Sequence, residues 1–505
     1  MSTRTHSRWR ELRFPAALFV FLLCAYVLTM SGHQYSVDGI AMYQQSKTLL
    51  FQGTFRFSPP FRWGNYTMSY TYWPEGLSIV YIIPLAILSY IVFPDAPTFR
   101  TIPISRQAML VDPSYVYVSP TNGVITALTA SFLFVLATRF GLTRRRAGLV
   151  GAVYGVMSPA LVYQKQDFAQ PLAALLVVSA TMLLLIASQT ESKSIRHICI
   201  FLASCSLGFS VMVRSETIVL ATMPLTILFL YQARHAALRG KYIAAACFFL
   251  PLSLFSAAHA MINYIKSGSF QGVQGTSISQ GLTDLAVFST GALGSLVSPG
   301  RGLFVFFPLA LFAPAGLYRM YRQNQRRWAI VLGCIVGLHA LLFSTWPIWW
   351  GGLSWGPRFF VPVIPFLTLL ALWPRADGQT RNPYLETLGS TLKLLAVLVG
   401  LIMALAGALL PWNVYALQHN PPAEAQTWSF VEQGRWYFRP DTNLVWVAWR
   451  ELGNTAGYDL LSVQLDQAAL PHGQLVFSLC WALFLGAGAL LSLWLRRETP
   501  ESQRE

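Results

Sequence analysis

Apolar residues in this chain run in long blocks, without the alternation of a half-buried strand or the one-faced periodicity of a surface helix. Blocks long enough to cross a hydrocarbon layer, about 17 to 25 residues each, lie near 14–31, 120–138, 148–164, 171–188, 198–213, 216–231, 243–264, 302–318, 328–345, 358–374, 389–410 and 474–495. They predict an all-α polytopic membrane protein with about twelve transmembrane helices. The first block follows Arg4, Arg8, Arg10 and Arg13, as in a secretory signal, but no small-x-small pair closes it. It reads as an uncleaved first helix.

The polar gaps then set the topology. With the N-terminus cytoplasmic, the basic clusters Arg144–Arg146, Lys193/Arg196, Arg234/Arg239/Lys241, Arg319/Arg322/Arg326/Arg327, Arg375/Arg381 and Arg496/Arg497 all fall on the cytoplasmic side. Gly76 to Phe93 is apolar and uncharged enough to be a span. Counting it as one would reverse every later cluster, so it is expected to lie in the outer leaflet, interrupted at Pro84. The chain divides accordingly into a transmembrane core, 1–409, with a first non-cytoplasmic loop at 32–119. A non-cytoplasmic loop or small cap follows at 410–473, carrying Trp412, Trp428, Trp436, Trp446 and Trp449, and then a last helix and cytoplasmic tail at 474–505.

Composition agrees. Of 505 residues 54% are hydrophobic and 11% charged, too little polar surface to coat a soluble globule. The net charge of +16 lies in short clusters between apolar blocks, which is a topogenic pattern and no nucleic-acid footprint. All six cysteines fall inside apolar blocks, so neither disulfides nor a cysteine-bound metal is expected.

Chemistry is then expected in the non-cytoplasmic segments. Asp38 stands at the start of a short helical pattern that ends at Gly53, where it is either a helix N-cap or a general base. Lys165 and Asp167 occupy a tight turn before Gln170-Pro171; ionisable groups so near the bilayer mark either a site or a solvated pair. Arg214 with Glu216 reads first as an ion pair. The run Trp346-Pro-Ile-Trp-Trp350-Gly-Gly-Leu-Ser-Trp355-Gly-Pro-Arg358-Phe-Phe combines glycines, indoles and an Arg at a helix entrance. A guanidinium there can grip a phosphate while Trp350 and Trp355 face a sugar, with an aromatic belt and a snorkelling Arg as the alternative. Arg301, between glycines in Ser298-Pro-Gly-Arg-Gly-Leu, repeats the arrangement. His33, His259 and His339 have no metal-binding spacing.

Together these segments resemble the membrane-embedded, C-type glycosyltransferases that include the protein O-mannosyltransferases and the bacterial lipid A aminoarabinose transferases. The likeness rests on Asp38 after the first helix, Tyr70 with Gly76 and Ser78, Gln170-Pro171-Leu172, the Ser298–Phe304 run and the Gly351–Phe359 run; the last two look like a bacterial, family-39-like branch. It implies a polyprenyl-phosphate sugar donor, a lipid, glycan or protein acceptor, Asp38 as base or metal ligand, and cationic side chains on the donor phosphate. Arg358, Arg301 and Lys165 are the candidates for that last role. The metal requirement is open, a divalent cation included. The chain departs from the family pattern at Gly39, where a second acid is usual, at Gln170, where an acid precedes the proline, and at Tyr72, where a Lys is usual. Asp167 and Glu75 are the acids that would substitute. The alternatives are a non-enzymatic lipid-sugar or solute transporter, disfavoured by the lack of inverted repeats, and a degenerate scaffold subunit of an envelope complex.

Overall fold

The computed structural model describes residues 2–58, 60–63, 66–87, 115, 118–234, 238–270, 284–375, 383–412, 427–440, 459–460 and scattered positions within 481–488. The protein is a predominantly helical integral membrane protein. Six described helices are long and apolar enough to cross a bilayer: Thr121–Arg139, Gln170–Gln189, Lys193–Val213, Gly240–Ser267, Arg326–Ser344 and Glu386–Leu409. We number the helices α1 (Ser2–Thr29), α2 (Val37–Gln52), α3 (Gly76–Ile87), α4 (Thr121–Arg139), α5 (Arg144–Val156), α6 (Ala160–Tyr163), α7 (Gln170–Gln189), α8 (Lys193–Val213), α9 (Met223–Ala233) and α10 (Leu238–Ser267). They continue with α11 (Leu285–Val297), α12 (Leu303–Phe306), α13 (Ala313–Arg322), α14 (Arg326–Ser344), α15 (Ile364–Ala371), α16 (Pro383–Leu409) and α17 (Phe430–Trp436). Helices α5, α4, α7, α8 and α10 pack in that order, with α1 against α4.

Three expected spans are broken, each at prolines, which lack the amide an interior helical turn needs. The block at 148–164 is α5 and α6, separated at Ser158-Pro159. The block at 302–318 is α12, a 3-10 turn Pro308–Phe312 and α13. The block at 358–374 is a 3-10 turn Arg358–Val363 leading into α15. A fourth, 216–231, opens with a π-turn Ile218–Thr222 before α9. Non-helical backbone at membrane depth must be buried in protein, and Leu303, Phe306, Phe307, Phe360 and Val361 at these breaks do belong to the main core.

The contested apolar segment forms α3, 12 residues with Pro84 inside, about 18 Å long at the helical rise and shorter than the hydrocarbon layer. Residues 88–93, Thr98 and most of the expected loop 94–120 fall outside the described residues, as do most of 410–473 and 474–505. Three described elements were not foreseen in the sequence. A small hairpin pairs Phe61–Trp63 with Tyr66–Met68, Arg62 opposite Thr67. Helix α11 is capped by Asp284, whose side chain accepts from the amides of Ala286 and Val287. Helix α17 opens with a Ser429/Glu432 capping box.

The long helices sort their ends by charge. Helix α8 starts at Lys193 and Arg196 and stops at Arg214; α14 starts at Arg326 and Arg327 and leads to Trp346; α7 starts at Gln170 and ends where α8 begins. The guanidiniums of Arg234 and Arg327 lie 3.8 and 4.6 Å from the centre of the Tyr231 ring. Basic clusters far apart in sequence thus gather at one end of the bundle, and the candidate chemistry lies at the other.

Candidate active site

Helix α2 positions the first carboxylate. Its N-cap is Ser36, in extended backbone, whose hydroxyl accepts from Gly39 N at 3.0 Å; its C-cap is Gly53 at φ 65°. The N-cap reading of Asp38 is therefore wrong, because Ser36 does the capping. Asp38, in the first turn, instead accepts from Nη2 of Arg358, in a pair whose side chains are 12% (Arg358) and 17% (Asp38) exposed.

Arg358 is fixed from several directions. Its guanidinium stacks 3.9 Å from the centre of the Phe168 ring and its Nη1 donates to Gly351 O at 3.1 Å. The Gln170 amide, turned so that its oxygen faces the donors, accepts from Arg358 Nε at 2.9 Å and from Arg214 Nη1 at 2.6 Å. Arg214 in turn pairs with Glu216, the pair expected from sequence. Two ion pairs, Asp38–Arg358 and Arg214–Glu216, are thus joined through one neutral amide at the position where the family pattern has an acid. Gly351, Gly352 and Gly356 take φ of 76°, 67° and 57°, so the glycines of this run serve a turn that brings Gly351 O back onto Arg358.

The indoles are packed into protein. Trp355 is buried edge-on to Phe306, and a Cβ on Gly407 of α16 would lie 2.6 Å from its ring. Trp350 stacks on Tyr437, ring centres 5.6 Å apart, in a cluster with Trp349. Arg301 is buried too: Nη1 donates to Gly300 O at 3.0 Å, the guanidinium lies 4.9 Å from the Tyr437 ring centre, and Nε has no hydrogen-bond partner among the described residues. Arg301 and Arg358 both act electrostatically on Tyr163, whose hydroxyl donates to Trp355 O at 2.8 Å.

Asp167 is fully buried and closes the entry of α2. It accepts from Tyr35 N at 3.2 Å, Ser36 N at 3.3 Å and Ser36 Oγ at 3.0 Å. Burial pushes its carboxyl up to about 6, against the lowering effect of these donors. A Cβ on Gly39 would lie 2.0 Å from Asp167 Cγ. Asp167 therefore fills the space a side chain at 39 would need, which accounts for the first departure from the family pattern.

Lys165 joins a cluster that the sequence did not reveal. Its Nζ donates to Ala408 O at 2.7 Å and Asp459 Oδ2 at 3.1 Å. Asp459 also accepts from His33 Nε2 at 2.6 Å and from the Tyr35 hydroxyl, while Tyr35 stacks on Trp412 at 5.5 Å. Burial alone would raise the Asp459 carboxyl, but His33 and Lys165 hold it well below the usual range. Burial lowers the Lys165 ammonium, with Asp459 opposing. Asp459 lies 426 residues from His33, with no local pattern to announce it.

Glu75 forms a third centre. It pairs with His259 Nδ1 at 2.8 Å and lies 3.6 Å from Lys266 Nζ. His259 Nε2 meets Ser215 Oγ at 2.9 Å and Asn263 Nδ2 at 3.1 Å, which places the ring proton on Nδ1. Lys266 donates to Trp73 O at 2.9 Å. An ammonium from α10 thus reaches the first-loop aromatic segment beside Tyr72, where the family pattern has its own Lys.

The described residues alone do not make a divalent-cation site here. Asp38 is engaged by a guanidinium, residue 39 has no side chain, Gln170 is neutral, and among the described residues no three His, Cys, Asp or Glu side chains converge.

The fold is that of the membrane-embedded C-type glycosyltransferases. Among solved structures, the archaeal oligosaccharyltransferase AglB from Archaeoglobus fulgidus, in complex with an inhibitory peptide and a dolichol-phosphate, is similar at TM-score 0.51 and 14% identity, over 85% of this chain and 60% of that one. ArnT from Cupriavidus metallidurans in the apo state is similar at TM-score 0.47 and 14% identity, over 90% of this chain and 78% of that one. Bound to undecaprenyl phosphate, ArnT gives TM-score 0.47 and 15% identity over 89% and 78%. No family model and no curated protein matches the chain.

Proposed function

We propose that this protein transfers a sugar from a polyprenyl-phosphate donor to an acceptor hydroxyl on the non-cytoplasmic side of the membrane, with inversion at the anomeric carbon. The observation that carries this reading is the partly exposed Asp38–Arg358 pair joined through Gln170 to Arg214. Two carboxylates and two guanidiniums meet at the end of the bundle opposite the basic clusters, which the positive-inside rule places in the cytoplasm. The C-type fold supports the same class.

The donor phosphate would take the guanidinium donors that Asp38 accepts at rest, because bidentate pairing to phosphate is the favoured use of such a fork. Asp38, released, accepts the proton of the acceptor hydroxyl. The hydroxyl oxygen bonds to C1 as the C1–O bond to phosphate breaks, and the electron pair leaves with the polyprenyl phosphate. Arg358 and Arg214 stabilise that growing charge, with buried Arg301 acting at longer range. Asp167 positions the entry of α2, Trp355 and Trp350 hold the glycine-rich turn, and Lys165 and Glu75 brace the surrounding loops. Termini in the cytoplasm of a bacterial plasma membrane complete the reading.

Mass spectrometry of lipids co-purifying with the protein tests it: a polyprenyl-phosphate sugar is expected from the parent and depleted from Arg358→Lys. Its absence from the parent, with no transfer when such a donor is supplied, would sink the assignment.

A further inference from the structure

One described void lies away from this chemistry, at the basic end of the bundle. A cavity of about 1010 Å³ opens between the start of α8, the end of α9, the start of α10 and the start of α14. Lys193, Arg196, His197, Arg326 and Arg327 line it, and among the described residues no Asp or Glu does. Among the described residues none of these five comes within ion-pairing distance of a carboxylate; Arg196 donates to Thr190 O at 2.8 Å, and Arg327 stacks on Tyr231.

Topogenic arginines need only reach headgroup water, each from its own helix end. The cluster Arg144–Arg146 does this, exposed and not part of this cavity's lining. Here four permanent cations from two helices far apart in sequence instead face one concave space with an apolar floor that includes buried Phe229 and Ile200. Like charges so placed repel unless an anion sits among them. Ile243 of α10 lines the cavity, and beside it Ile198, Phe201 and Leu202 of α8 and Leu250 of α10 are exposed, a track suited to acyl chains.

We propose that this cavity binds the phosphate headgroup of an anionic phospholipid from the leaflet bathing the basic end. Basic pockets between transmembrane helices suit this chemistry, since the phosphodiester supplies the missing charge and the tails cover apolar helix faces. Helix α8 separates the cavity from Arg214 by 21 residues, about 30 Å, so the proposal is independent of the sugar-transfer reading.

The test places the full-length protein in phosphatidylcholine nanodiscs doped with phosphatidylglycerol and counts retained lipid by native mass spectrometry. The parent should retain phosphatidylglycerol preferentially, and the triple variant Arg196→Gln/Arg326→Gln/Arg327→Gln should lose that retention on the order of tenfold, as expected when charge-assisted contacts go. Because removing topogenic charge can disturb insertion, Ile243→Trp supplies a second variant that keeps every charge and narrows the cavity; it should lose the lipid as well. Arg144→Gln/Arg145→Gln/Arg146→Gln should retain it. Equal loss in that last variant, or full retention in Ile243→Trp, overturns the proposal. Displacement of the lipid by inorganic phosphate alone would also overturn it, in favour of a free phosphate ligand.

Discussion

Asp38 and Asp459 are each held by a basic side chain at the same end of the bundle, yet their surroundings differ. Asp459 and Lys165 are 3% and 0% exposed, and Asp459 also takes donors from His33 and Tyr35. Asp38 and Arg358 are 17% and 12% exposed, and Asp38 has one described partner. A carboxylate with every oxygen site filled in a dry environment can exchange nothing without leaving a charge bare. One at a wet edge can trade its guanidinium for a proton. The first arrangement fastens the segment around 459 to the turn at Lys165, and the second suits the exchange that the proposed transfer requires.

The largest effect should come from breaking the buried cluster. Asp459→Asn leaves the Lys165 ammonium unpaired in the interior, and loss of one partner of a buried pair costs about 3 to 5 kcal/mol. Thermal unfolding in detergent should show a large drop, with Lys165→Met in the Asp459→Asn background restoring much of it. Unchanged stability in the single variant would mean that the cluster fastens nothing.

Asp38→Asn should do the reverse, leaving melting nearly unchanged while turnover falls by about 10²-fold or more, as for removal of a positioned base. Ser36 caps α2 in either protein, so a lost cap cannot explain the result. Near-normal turnover would remove Asp38 from the chemistry.

Arg358→Lys keeps the charge and loses the planar fork. Donor binding should weaken by about 1.5 to 3 kcal/mol, the range for hydrogen bonds to charged groups. Equal binding by parent and variant would make Arg358 a membrane-interface anchor.

The two regions also differ in how far the sequence disclosed them. Apolar block lengths and the sorting of Arg and Lys between helix ends announced the bundle, because both are imposed locally by the bilayer. Asp38, Arg358 and the Arg214–Glu216 pair were legible because each stands at the end of an apolar block, where an ionisable group is conspicuous. The breaks inside α5–α6 and α12–α13 were signalled by Pro159, Pro308 and Pro314, but hydropathy averages over them. Asp459 sits in a polar segment where an acid is unremarkable, and only the folded chain brings it to His33. Gly39 and Gln170 read as lost acids in sequence. In space the first makes room for Asp167 and the second joins two arginines.

Asp167 permits a finer test, because it is as buried as Asp459 yet has no cation among its described partners. Its carboxyl is pushed up to about 6, above the ordinary value near 3.9. The folded protein therefore binds this proton more tightly than the unfolded chain does. That preference contributes stability in full below about pH 4 and loses it as pH rises through about 6. Asp167→Asn removes the titration and keeps an oxygen for the Tyr35 and Ser36 amides, while its NH2 can donate to Ser36 Oγ. Melting temperatures of parent and variant, measured from pH 4 to pH 7.5, should therefore diverge with pH. The parent should lose a few °C relative to Asp167→Asn across that window, the scale of a shift of one or two kcal/mol in a protein of this size. Asp459, held well below its usual range, contributes a slope of the opposite sign near pH 4, but parent and variant share it, so it cancels in their difference. A constant difference between parent and variant would mean that Asp167 is ionised in the fold at pH 4, and hence that a cation beyond its described partners holds it.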